Sequence, residues 1–226
     1  MINLFVDFDE RESVGTHAFN ASVIANCSEP VNITHLAKPA IESWFGQQYQ
    51  EGTNAFTVSR FLIPDLMGRK GWAIFADGAD MVCLGDLAEL MKLADPFKAV
   101  QVVKHKYKTK HPRKYLGTQM EAENPDYYRK NWASLMLINC GNLRWPRAEE
   151  IARMSKIELL TFAWLGDEQI GGLPKEWNWL ADEYGDNPNA KIAHWTAGIP
   201  GFPEYKNAPM AEYWRQAHAL ANYATP

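Results

Sequence analysis

Positive charge is scarce in this 226-residue chain, where 23 lysines and arginines stand against 27 acidic residues and leave a formal net charge of −4. That balance argues against a general nucleic-acid binder, although it leaves room for a local basic patch. Cysteine is scarcer still. Cys27, Cys83 and Cys140 lie far apart in apolar surroundings, with neither a zinc spacing nor a disulfide framework, so a reducing compartment is the simpler expectation. No apolar run is long enough to span a bilayer, and the first residues lack the basic n-region and cleavable apolar core of a secretion signal. A cytoplasmic protein without a membrane span is expected. Internal repeats and low-complexity linkers are also missing. What is present is 46% hydrophobic and 22% charged residues, an ordinary globular composition at a length that fits one sizeable domain.

Residues 2–8 are apolar and β-favouring, and they run into the acidic cluster Asp7, Asp9 and Glu10. Ser13 is placed to cap a helix carrying Val14, Ala18, Ala21, Val23 and Ile24. Residues 31–36 alternate like a second strand. Residues 54–67 read as a helix with Phe56, Arg60, Ile63 and Leu66 on related turns, which Pro64 should bend or end. A strand from Trp72, a helix over 86–91, strands over 99–103 and 134–140, and helices over 147–154 and 157–164 come next. Strands alternating with helices imply an α/β fold, a mostly parallel central sheet flanked by helices. The whole chain, 1–226, is read as one domain. It carries a polar insertion around 105–130 and a loop-rich C-terminal segment, 185–226, which either closes over a site or wraps the surface.

The most informative stretch is Trp72-Ala73-Ile74-Phe75-Ala76-Asp77-Gly78-Ala79-Asp80-Met81-Val82. It is a short buried strand that delivers two aspartates to its C-terminal edge, where open α/β sheets bind ligands. Gathering like charges is unfavourable unless a cation or donor groups neutralise them. One reading is therefore a divalent-metal site for an anionic ligand such as a diphosphate. The other is an Asp-Gly turn that ends the strand, with Asp80 capping the next element.

Two carboxylates leave a metal short of ligands, and His194, at the end of a short apolar strand, is the best additional candidate. Oxygen donors with one imidazole suit Mn²⁺ better than Ca²⁺, with Mg²⁺ as the other choice; a strand-end histidine bonded to backbone is the structural alternative. Arg60 can neutralise Asp77 or meet a phosphate oxygen, or simply form an internal ion pair. Asp167, Glu168 and Gln169 can hold a substrate hydroxyl or stabilise developing positive charge, or form a helix-terminal loop. Lys104, Lys106, Lys108 and Lys110 alternate with His105, Tyr107, Thr109 and His111 and are best read as a solvated edge. Most of the nine tryptophans lie from Trp132 onward, where a sugar-stacking role competes with plain core packing.

Taken in order, these pieces resemble the nucleotide-sugar transferases of glycosyltransferase family eight, in a divergent form. The likeness runs through Phe56-Thr57-Val58-Ser59-Arg60-Phe61-Leu62-Ile63-Pro64-Asp65-Leu66, the Asp77…Asp80 strand end, and Gly85-Asp86-Leu87-Ala88-Glu89-Leu90. It continues through Ser134-Leu135-Met136-Leu137-Ile138-Asn139, Gly166-Asp167-Glu168-Gln169, Leu173-Pro174-Lys175-Glu176-Trp177-Asn178 and His194-Trp195-Thr196-Ala197-Gly198. The resemblance implies a GT-A fold and metal-assisted transfer of a sugar from a nucleotide diphosphate, usually UDP, with retained anomeric configuration. Asp80 and His194 would bind Mn²⁺, with Asp77 on the metal or the ribose. Asp7, beside the base, and Arg60, Asp77 and Gly198 would form the donor site, and Asp167, Glu168 and Gln169 would face the sugar. The acceptor would be a glycan, lipid or protein.

Three positions depart from the pattern. Gly78 and Ala79 separate the aspartates where the family has one residue. Trp132 or Ala133 stands where a polar residue is common. Ile199 replaces the lysine after the closing glycine, with Lys206 as the candidate substitute. Two other functions compete with the transferase: a non-catalytic relative that binds nucleotide or carbohydrate, and an α/β nucleotidyl-transfer or phosphate-handling enzyme.

Overall fold

The computed structural model describes residues 1–46 and 57–222. Its central sheet has six strands: β1 (Ile2–Phe8), β2 (Val31–Ala37), β3 (Trp72–Ala76), β5 (Val100–Val102), β8 (Leu135–Asn139) and β9 (Ile170–Gly172). They lie in the order β2-β1-β3-β8-β5-β9. β1 pairs parallel with β2 and β3, and β5 parallel with β9, while β8 runs antiparallel to both its neighbours. The sheet is thus mostly parallel.

Period-two side-chain alternation between two covered faces explains why the inner strands are mostly apolar. Ile2, Leu4, Val6, Ile74, Ala76, Leu135 and Leu137 enter one core, packed on Phe19 and Val23 of α1 (Ser13–Asn26). Phe5, Ala73, Phe75, Met136 and Ile138 enter the other, with Phe61, Trp145 and Phe162. A third cluster joins α1 to α8 (Ala211–Ala221) through Ala18, Trp195, Trp214 and Ala217. Beside it lies a small sheet of β4 (Met81–Cys83), β10 (Trp179–Leu180) and β11 (Ile192–His194), with β11 in the middle. Among the described residues no helix is long and apolar enough to cross a membrane.

Several local expectations change. Ser13 is the first residue of α1, not its cap; the Asp9 side chain instead caps the 3₁₀ turn Glu10–Glu12 just before it. The helix expected over 54–67 is a 3₁₀ turn, Ser59–Leu62, followed by α3 (Ile63–Leu66), and residues 54–56 lie outside the described residues. Pro64 stands near the start of α3, where its missing N–H costs nothing, so it begins a helix rather than ending one. α2 (Lys38–Phe45) follows β2, and α4 (Leu87–Met91) is capped by Asp86. α5 (Ala148–Ile151) and α6 (Lys156–Leu160) are shorter than expected.

Within 105–130 the regular structure is a short hairpin of β6 (Arg113–Lys114) and β7 (Ala122–Glu123). This segment is tied down by α7 (Ala181–Tyr184): Thr109 donates to Glu183 Oε1 at 2.5 Å, Lys110 Nζ to the Glu183 carbonyl at 2.6 Å, and His105 Nδ1 bonds the Tyr184 hydroxyl. Lys104, Lys106 and Lys108 are exposed while His105 is buried, but the expected edge strand does not form: β5 ends at Val102 and residues 103–109 are irregular.

α1 reaches the functional end of the sheet through one close approach. A β-carbon on Gly15 would sit 1.8 Å from the Ala79 carbonyl oxygen. In an open helical position Gly→Ala stabilises by about 1 kcal/mol. Here Gly15→Ala is expected to destabilise by roughly 1–3 kcal/mol through overpacking. Urea unfolding gives the sign, and a stabilised variant would show that α1 does not rest on the 78–80 turn.

Candidate active site

β3 ends at Ala76, and the chain turns through Asp77 into a 3₁₀ turn, Gly78–Asp80. The Asp77 N–H donates to the Ser134 carbonyl at 2.8 Å. In 3₁₀ geometry residues i and i+3 eclipse, so two intervening residues put both carboxylates on one side. Asp77 and Asp80 accordingly line the same cleft. Gly78 is demanded by packing, since a β-carbon there would meet Val6 Cγ1 at 2.5 Å and Phe19 Cδ1 at 2.7 Å.

β4 then leads away and pairs antiparallel with β11, with Met81 opposite His194. The Trp195 N–H donates to the Asp80 carbonyl at 2.9 Å. This register brings His194 Nε2 to 3.1 Å from Asp80 Oδ1, with both side chains almost wholly buried. His194 Nδ1 is held by Asn178 Oδ1 at 2.9 Å.

Arg60 supplies the nearest fixed cation. Its guanidinium lies over the Phe75 ring and donates from Nη1 to the Ala133 carbonyl at 2.9 Å and to Asp77 Oδ2 at 3.3 Å. Burial alone would raise the Asp77 carboxyl, but Arg60, a hydrogen bond from Asp7 and His194 hold it below its ordinary range. Asp7 is pushed the opposite way by complete burial and by the charge on Asp77, so Asp7 carries the proton of that pair. Asp80 is raised by burial, which His194 only partly offsets. His194 is raised because the Asp80 and Asp77 charges outweigh its desolvation. Glu12, buried under the same turn, is pushed up to about 8 by burial and by Asp80, Asp77 and Asp9.

Arg60, Asp77, Asp80 and His194 floor a cleft of about 1090 Å³, its mouth included. One wall comes from the insertion, with Lys114, Tyr115 and Tyr127; the other comes from α6, with Lys156, Ile157 and Leu160. Burial lowers Lys114 despite the attraction of Asp80, Asp77 and Glu12. Lys130 also borders the cleft but is spent on structure, donating to Asn124 Oδ1 at 2.8 Å and to the Pro125 carbonyl at 2.9 Å.

The structure therefore brings Arg60, Asp77, Asp80 and His194 together. The other expected residues lie elsewhere. Asp7 sits beneath the floor, with Oδ1 accepting from the Ala79 N–H, and does not line the cleft. Gly198 packs against the Tyr205 ring, where a β-carbon would come within 2.4 Å. Asp167, Glu168 and Gln169 form a 3₁₀ turn off the cleft wall, and Asp167 bonds Arg129 Nη2 at 2.5 Å. Lys206 is exposed and off the cleft; of the three lysines that line it, Lys130 is spent on Asn124 and Pro125, which leaves Lys114 and Lys156. Trp132 is a core residue whose indole donates to the His105 carbonyl at 3.0 Å, and Asn131 and Ser134 are the polar groups at that wall. Trp177 and Trp195 are buried in the apolar clusters rather than displayed to a sugar.

Among the described residues no three carboxylate or imidazole groups already form a coordination shell. Two donors nevertheless suit a divalent ion. Ligands about 2.1 Å from an octahedral ion and at right angles stand about 3 Å apart, which is the Asp80–His194 separation of 3.1 Å. Asp80 Oδ1 accepts no hydrogen bond. Asp77, kept ionised by Arg60, is a further carboxylate lining the same cleft.

No protein-family model matches the chain. It is 33% identical over 221 residues to "Protein CDI" of Arabidopsis thaliana, covering 93% of this chain and 83% of that one. The solved galactosyltransferase LgtC, in complex with donor and acceptor sugar analogues, superposes with a TM-score of 0.65 at 12% identity, over 100% of this chain and 97% of that one. The glycosyltransferase GlyE of Streptococcus pneumoniae TIGR4 gives 0.64 at 14% identity, and the bifunctional glycosyltransferase WbbM 0.61 at 15%. This chain spans 63% of the GlyE chain and half of the WbbM chain. The fold is thus that of the GT-A glycosyltransferases.

Glu12 sets a pH dependence. Its acid is ordinary, near 4.5, when unfolded and near 8 when folded. Between those values the unfolded chain releases the proton while the fold retains it, so stability falls as pH rises, by up to roughly 1.4 kcal/mol per unit. Glu12→Gln is expected to match the parent near pH 4 and to exceed it at pH 8 in urea unfolding. Parallel curves across that range would contradict the assignment.

Proposed function

We propose, for a chain that belongs to the family of Protein CDI of Arabidopsis thaliana, that it is a metal-assisted glycosyltransferase taking its sugar from a nucleotide diphosphate, most simply UDP. The carrying observation is the convergence of Asp80 and His194 at 3.1 Å on the floor of a cleft whose wall presents Lys114. The fold shared with LgtC, GlyE and WbbM supports the reading. The motif likeness to glycosyltransferase family eight supports retention of anomeric configuration.

Asp80 and His194 would hold Mn²⁺ or Mg²⁺, with Asp77 as the third donor. The ion supplies Lewis-acid stabilisation of charge on the departing diphosphate. The residues do the rest. Arg60 keeps Asp77 ionised, and Asp7 holds its proton below the floor, which limits the negative charge the site must neutralise. Lys114 places a second, desolvated cation on the wall facing the carboxylates. A desolvated ammonium interacts more strongly with phosphate than a hydrated one. Asp167, Glu168 and Gln169 would face the sugar, and Asp167 is tied to the wall by Arg129, which also binds the carbonyls of Thr161 and Phe162. The cytoplasm remains the proposed compartment.

Titration calorimetry of UDP with and without Mn²⁺ tests the proposal. Metal-dependent UDP binding followed by slow hydrolysis of a UDP-sugar is expected. Binding without turnover of any UDP-sugar would make the chain a non-catalytic relative, and metal-dependent turnover of a nucleoside triphosphate without sugar transfer would overturn the proposal. Asp80→Ala and His194→Ala should each abolish metal-dependent binding. Lys114→Ala should spare Mn²⁺ binding but weaken UDP about tenfold or more, since a charged hydrogen bond contributes about 1.5–3 kcal/mol.

A further inference from the structure

Behind His194 a line of four residues has only one consistent hydrogen-bond direction. It starts at the Asn131 carbonyl, which can only accept. The Ser134 hydroxyl is 2.8 Å away and must therefore donate to it. That spends the hydroxyl proton, so toward Asn178, at 2.9 Å, Ser134 Oγ can only accept. The Asn178 amide must then turn its NH₂ to Ser134 and its Oδ1 to His194, 2.9 Å from Nδ1. An amide oxygen accepts only, so Nδ1 carries a proton and Nε2 is the nitrogen left to face Asp80 at 3.1 Å. Backbone geometry fixes the source of the direction: Asn131 holds φ 60° at the head of the 3₁₀ turn Trp132–Ser134, and its side chain donates to the Tyr107 hydroxyl at 2.7 Å. Asn178 is fully buried, so water does not compete for its bonds to Ser134 and His194.

We infer that Asn178, oriented by Ser134, is a positioning residue that locks His194 in its Nδ1–H form, so that Nε2 is presented with Asp80 as a ready pair of donors for a divalent cation. This rests on the metal reading above for its purpose, but the locked tautomer is a property of the metal-free chain. Without the lock, a neutral imidazole distributes its proton between the two nitrogens, and the form with a protonated Nε2 cannot bind metal there.

The test uses the full chain labelled with ¹⁵N-histidine, free of metal, at a pH alkaline enough that His194, raised by Asp80 and Asp77, is neutral, and reads its two ring nitrogens through their long-range proton couplings. It then titrates Mn²⁺ alone by calorimetry. The parent should show a protonated Nδ1. Asn178→Leu should give a mixed or reversed tautomer and Mn²⁺ affinity about 10–100-fold weaker. Asn178→Asp restores an acceptor at Nδ1 and should recover both the Nδ1–H form and Mn²⁺ affinity to within about threefold. Ser134→Ala, which frees the amide to flip but leaves it in place, should fall between. Thermal unfolding identifies any variant that fails to fold, and Asn178→Asp with Ser134→Ala decides the matter if Asn178→Leu does.

A parent with its proton on Nε2, or an Asn178→Leu variant that folds and keeps both the tautomer and the affinity, would overturn the inference. The tautomer readout holds even if the parent binds no Mn²⁺. A locked tautomer without UDP binding would remove the transferase proposal and keep this one, and UDP-sugar turnover with an unlocked tautomer would do the reverse.

Discussion

A single backbone hydrogen bond, from the Trp195 N–H to the Asp80 carbonyl, sets the relation between the two halves of the site. It extends the antiparallel ladder of β4 and β11 by one step and fixes which residue of the C-terminal strand arrives beside the aspartate turn. Strand registers are unforgiving: a slip of one residue would turn His194 to the opposite face. The register is held by burial on both faces, with Ile192 in one apolar cluster and Ala193 and Trp195 in another. The Trp195 indole is further tied to the Pro209 carbonyl at 2.8 Å. Core packing far from the cleft therefore decides whether an imidazole reaches a carboxylate.

That arrangement concentrates negative charge where burial makes it costly. Asp7, Glu12, Asp77 and Asp80 all lie under or at the floor. The chain resolves the conflict unequally. Arg60 keeps Asp77 charged, His194 partly offsets Asp80, and Asp7 and Glu12 hold protons instead. Groups pushed in opposite directions by their surroundings are the pattern that the proposed cation site calls for. Lys114 belongs to the same balance, drawn toward the acids while its own burial disfavours its charge.

Much of this was legible in the residues. The strands from Ile2, Val31 and Trp72 declare themselves because their apolar pattern is long and bounded by turn chemistry. Asp77, Asp80, Arg60 and His194 stand out by type and by order along the chain. The two-residue gap between the aspartates looks like a defect in sequence, and only the 3₁₀ turn shows how it aligns them. Pro64 misleads because a proline signals both the end of one helix and the beginning of another. Lys114 is hidden in a polar insertion whose fold depends on distant partners in α7, which no local pattern reveals. Asn178 carries one faint signal, its place at the end of the Leu-Pro…Trp-Asn stretch, but its role needs the contact with His194. The triplet Asp167 to Gln169 stands out by its chemistry, but sequence order does not show that Asp167 reaches the cleft wall through Arg129.

The most direct measurement is anomalous diffraction at the manganese edge from crystals of the protein grown with Mn²⁺ and UDP. The account requires one peak in contact with an Asp80 carboxylate oxygen and His194 Nε2, with the diphosphate on its cleft side toward Lys114. A peak bound elsewhere, with Asp80 and His194 still paired only to each other, would contradict it.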